Sequence, residues 1–163
     1  TEVTPYLSVD GGDTTAQFDG AILVIGMSVN DFIPSGWRGR KAVLTFTDAN
    51  STQAAGLTIY SPGAKWYTVE HGVPIPYKAV VKNLFVSASA APGAGQTFVY
   101  TFRNALAATS LAATIAGAVQ TTANDITNHT EVGKGTVIDV QVVISATAAV
   151  AYHDVAVEIE EIP

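Results

Sequence analysis

An all-β fold, an antiparallel sandwich or barrel, is predicted by three features of this 163-residue sequence. Short runs of β-branched and aromatic residues recur along it, such as KAVLTFT (41–47) and TFVYTFR (97–103). Clusters of Gly, Pro, Asn and Asp separate most of these runs. Several runs also alternate apolar with polar side chains at the period of two that a strand imposes. By the usual size prior the chain is one domain, able to bury roughly 70% of its unfolded surface.

Taken in order, residues 1–20 hold three Gly, one Pro and four acids among few large apolar side chains, which predicts an extended N-terminal arm ahead of a sandwich spanning residues 21–163. AILVIGM (21–27) fits a buried strand, and SVNDFIPSGWRGR (28–40) is turn-rich. In KAVLTFT, Ala42, Leu44 and Phe46 face one way and Val43, Thr45 and Thr47 the other. A loop at 48–56 leads to further strand candidates at 56–60, 65–70, 79–89, 97–103, 110–117, 136–145 and 151–161. The last is the clearest, with His153, Val155, Val157 and Ile159 on an apolar face and Asp154, Ala156, Glu158 and Glu160 on a wet one. Residues 105–119 are ambiguous from periodicity. Leu111, Ile115 and Val119 follow helical spacing, while Leu111, Ala113 and Ile115 follow strand spacing.

Composition narrows the function classes. Hydrophobic residues make up 48% and charged residues 13%, about half the usual charged share, so much of the surface is neutral. That pattern suits a protein that covers part of its exterior against partners. A net charge of −6 argues against nucleic acid, which requires clustered Lys and Arg. With no cysteine, disulfides and thiolate chemistry are excluded. No apolar stretch reaches the ~18 residues of a membrane span and the first residues lack the features of a secretory signal, so no membrane partner is expected.

No motif points to catalysis, a cofactor or a metal. PGAG (92–95) lacks the Lys and helical continuation of a phosphate loop and is expected to be a turn between strands. His71, His129 and His153 match no zinc spacing, and no serine sits in a G-x-S-x-G elbow. Asp10, Asp13 and Asp19 are oxygen ligands of the kind calcium takes, in a glycine-rich loop without the EF-hand pattern. Glu158, Glu160 and Glu161 are expected to solubilise and guard a terminal strand at a sheet edge. GWRGRK (36–41) gathers basic residues beside Trp37, a composition that favours docking on an acidic partner or a solvated turn. Trp66 and Tyr67 fit either an interface or carbohydrate platform or the sandwich core, with the core favoured.

From KNLFVSASAAPGAGQTFVYTFRN (82–104) onward, through SLAATIAG (110–117), TTANDITN (121–128), VGKGTVIDVQVVIS (132–145) and AYHDVAVEIE (151–160), the chain resembles jelly-roll-like β-sandwich structural proteins of tailed bacteriophages, found as head decoration (cement) proteins and fibre modules. Relatives carry R-K-N-G where this chain has RNAL (103–106), and a G-D turn where it has GKG (133–135). The resemblance covers about half the chain. It implies an antiparallel jelly-roll-like β-sandwich, strand at 110–117, a turn at 121–128, and a non-enzymatic virion protein synthesised in the host cytoplasm. The implied partners are the major capsid protein of the same virion and further copies of the chain, with a trimer favoured. The alternative is a fibre or spike module binding host-surface carbohydrate through Trp37 or Trp66. The candidate partner interface is Tyr6 and Leu7 on the arm, Trp37, Arg38 and Arg40 in the basic loop, and Trp66.

Overall fold

The computed structural model describes residues 41–48 and 52–162. The arm expected at 1–20, the strand expected at 21–27 and the turn-rich segment expected at 28–40 lie outside the described residues. Among the described residues there is no helix. The strands are β1 (Lys41–Thr47), β2 (Thr58–Ser61), β3 (Val73–Pro74), β4 (Ala79–Ala88), β5 (Gly93–Asn104), β6 (Ala107–Gly117), β7 (Thr122–Val132), β8 (Val137–Ile144) and β9 (His153–Glu161). Among the described residues all strand pairings are antiparallel. A four-stranded sheet runs β1-β9-β4-β7, and a five-stranded one runs β2-β8-β5-β6, with β3 also pairing β8. The expected all-β antiparallel sandwich is what the chain forms.

Alternation builds the core. Phe46 on β1, Val81, Leu84 and Val86 on β4, and Val155, Val157 and Ile159 on β9 project inward from one sheet. From the other come Ile59 on β2, Phe98, Tyr100 and Phe102 on β5, Leu111 and Ile115 on β6, and Ile138, Val140 and Val142 on β8. Fully burying an aliphatic or Phe side chain contributes roughly 1.5–3 kcal/mol, so the core alone drives the two sheets together. The ambiguity at 105–119 resolves as strand because Leu111, Ala113 and Ile115 are buried at every second position.

Four local expectations are corrected. KWYTVE forms no strand of its own; only Tyr67 pairs, with Tyr60, and residues 62–72 run as a strap linking β2 to β3. The strap ends where Gly72 touches β8, and a Cβ there would meet the Ile138 carbonyl oxygen at 2.8 Å. The turn before β5 occupies residues 89–92; Gly93 and Gly95, at φ 108° and 71°, belong to the irregular start of β5, where its register with β6 shifts. TTANDITN is mostly strand β7 rather than a turn. Finally, β9 lies between β1 and β4, so Glu158 and Glu160 guard no edge.

The RNAL departure has a definite form. Ala105 and Leu106, at φ 53° and 63°, make the two-residue link between β5 and β6. Positive φ at both central residues is the type I′ requirement that Asn-Gly satisfies cheaply and that side chains with a Cβ satisfy only under strain.

Candidate functional site

Three polar constellations are built by this fold, two internal and one on the surface. The first begins with register: β5 and β8 set Arg103 opposite Asp139 on the outward side of the five-stranded sheet. Arg103 Nε and Nη2 donate to the two carboxylate oxygens of Asp139 at 2.7 and 2.5 Å, a bidentate pair. Arg103 Nη1 donates to Glu70 of the strap at 2.5 Å, and the guanidinium lies 4.4 Å from the Tyr60 ring centroid. Although they face outward, Arg103 is 3% and Asp139 0% exposed. Hydrogen bonding to Asp139 first, opposed by burial and helped by Glu70, raises the Arg103 pKa further, so the group stays cationic.

The second constellation is in the core and at its rim. Tyr100 Oη and His153 Nδ1 are joined by a hydrogen bond of 2.7 Å, and the Trp66 indole Nε1 donates to the His153 carbonyl at 3.1 Å. Phe98 and Trp66 meet the imidazole edge-on. His153 Nε2 is buried without a hydrogen-bond partner among the described residues. Burial pushes the His153 pKa down to about 4, with the Asp154 charge opposing, so the ring is neutral at pH 7. At the rim, Asp125 of β7 accepts from the Ala112 amide of edge strand β6, from the amide and hydroxyl of Thr127, and from the amide and side chain of Asn128, all at 2.9–3.1 Å. Burial works against the Asp125 carboxylate, but the donors of Asn128, Ala112 and Thr127 prevail and hold its pKa below the usual range. One carboxylate thus closes the gap between the edges of the two sheets.

The third is the outer face of β1-β9-β4-β7. At one end Lys41 and Lys82 sit between Glu158 and Glu160, with Lys82 Nζ 2.6 Å from Glu160 and Asn83 donating to Glu158 at 2.9 Å. The Asn83 bond and then Lys41 lower the Glu158 pKa, and Lys82 lowers that of Glu160. Farther along lies an open groove of about 580 Å³ whose lining includes Thr45, Thr47, Phe85, Ser87, Asn124 and Asp154. Thr47 Oγ1 donates to Asp154 Oδ1. Phe85 is 51% exposed.

Of the sequence candidates, Tyr6, Leu7, Trp37, Arg38, Arg40 and the aspartates Asp10, Asp13 and Asp19 lie outside the described residues. Trp66 is 5% exposed, in the core, which corrects its place among the interface candidates. Its neighbour Tyr67 is 38% exposed, with its ring 5.1 Å from that of His71 and tilted 45° to it. The three histidines do not meet: His153 is core, His129 lies on the exposed side of β7, and His71 is in the strap. Among the described residues no three His, Asp or Glu converge to hold a metal. Sequence reasoning missed Asp125, Arg103 with Asp139, and the Phe85 groove. Only Asp125 left a local signal, the D-x-T-N spacing of an Asx-type turn. No family model and no curated protein matches the chain.

Proposed function

We propose that the chain is a non-enzymatic virion structural protein, a decoration (cement) protein that binds and stabilises the outer shell of a tailed-phage head. Its partners on this reading are the major capsid protein and, in a homotrimer, further copies of itself. The supporting sequence feature is the ordered resemblance of residues 82–160 to such proteins. The supporting structural observation is the surface: Lys41, Lys78, Lys82 and Arg103 each engage a carboxylate of the same chain, while Val69, Val119, Ile126 and Val150 stand exposed. Such a surface suits protein contacts because little charge must be desolvated on docking. Repeated weak contacts around a symmetric shell then reinforce one another through effective concentration.

The test combines light scattering on the isolated protein with co-sedimentation on undecorated head shells. A trimer that saturates shells at a fixed copy number supports the reading. A protein that stays in the supernatant over intact shells contradicts it.

A further inference from the structure

The groove on the β1-β9-β4-β7 sheet plays no part in the reading above. Its side chains stand in cross-strand rows set by the register. One row runs Thr47, Asp154, Ser87, Thr122, and the next runs Thr45, Ala156, Phe85, Asn124. The first row is three hydroxyls and a carboxylate. The second sets a half-exposed aromatic ring between a methyl group and a carboxamide, and the small Ala156 leaves room beside the ring.

We infer that this groove binds a neutral saccharide. A sugar ring presents an apolar C–H face, which an exposed aromatic side chain covers, and hydroxyls that both donate and accept. Asp154, Asn124 and the flanking hydroxyls supply the matching acceptors and donors, and Thr47 fixes the Asp154 carboxylate. The charge balance sets the class. The groove lining holds one carboxylate and no cation, while Lys41 and Lys82 are engaged by Glu158 and Glu160 farther along the sheet. Phosphate and other anionic ligands are therefore disfavoured. The volume of about 580 Å³ lies within the roughly 300–1,000 Å³ of small-molecule sites. A protein hot spot would instead centre on Trp, Tyr or Arg in a desolvated pocket, whereas this ring is a half-exposed Phe in a groove whose lining includes Thr45, Thr47, Ser87 and Thr122.

Amide chemical shifts of the full chain, titrated separately with maltotriose, cellotriose, triacetylchitotriose, globotriose and the anionic sialyllactose, provide the test. At least one neutral trisaccharide is expected to shift the amides of Phe85, Asn124 and Asp154 saturably, and more tightly than sialyllactose. Phe85→Ala is expected to weaken that binding about tenfold with the remaining spectrum unchanged. Asp154→Asn, which alters a partly exposed group, is a second variant with the same expected direction. Four results would overturn the inference. They are no saturable shift at these amides with any neutral trisaccharide, tighter binding of sialyllactose, affinity unchanged in both variants, and groove resonances that move on concentrating the protein alone. The last would assign the face to a second copy of the chain.

Discussion

The two sheets turn opposite kinds of outer face to their surroundings. On the five-stranded sheet, Tyr60 and the strap residue Glu70 close over Arg103 and Asp139, so an outward-facing ion pair becomes as buried as the core. On the four-stranded sheet, Lys41 and Lys82 remain partly solvated beside Glu158 and Glu160, and Phe85 and Asp154 border an open groove. The difference teaches that an outward charge becomes structural once the chain's own segment covers it. Uncovered, it is nearly replaceable, because solvent screens it.

The largest expected effect lies on the closed face. Asp139→Ala leaves Arg103 buried without its bidentate partner and should cost about 3–5 kcal/mol in urea unfolding. Arg103→Met combined with Asp139→Leu should recover most of that loss, whereas Glu70→Gln, at the half-exposed end of the network, should cost at most about 1 kcal/mol. An Asp139→Ala variant as stable as the parent would remove the distinction between the faces.

Acid comes next. His153 takes up a proton near pH 6.5 when unfolded but only near 4 when folded, so its contribution is complete above about 6.5 and is lost as pH falls toward 4. A loss of about 3 kcal/mol across that window is expected, and His153→Leu should flatten the slope. Asp125 acts lower. Its folded pKa is depressed, so its contribution is present above about 4 and is lost as pH falls further. Asp125→Ala should cost about 2–3 kcal/mol at pH 7, because the Ala112 and Asn128 amides lose their acceptor. Chemical denaturation at successive pH values reads both. A smaller effect of opposite sign is expected at the β5–β6 turn, where Ala105→Asn with Leu106→Gly should stabilise by about 1–2 kcal/mol in thermal unfolding.

How much of this was legible in the sequence follows from where the burial pattern is local. Strand β1 has the predicted bounds, and the inward face of β9 is the predicted His153, Val155, Val157 and Ile159, because each alternates within its own run. Strand β7 was hidden because, of its residues, only Asp125 and Val132 are buried, which leaves no apolar alternation to read. The strap was hidden for a different reason. Trp66 turns into the core and Glu70 out to Arg103, and what each meets is set by β5 and β9, distant in sequence. The Arg103–Asp139 pair depends on the register of two strands separated by β6 and β7 in sequence. The Phe85 groove depends on four strands at once. The position of β9 inside its sheet is equally non-local, which is why the glutamates suggested an edge.

The open face carries little of the fold's stability, since Phe85 and Asp154 border solvent. Urea unfolding of the Phe85→Ala, Asp154→Asn double variant tests it most directly. The unfolding free energy is expected to stay within about 1 kcal/mol of the parent with an unchanged slope, since both side chains border solvent. A loss of about 3 kcal/mol or more, matching Asp139→Ala, would contradict it by showing the two faces to be equally structural.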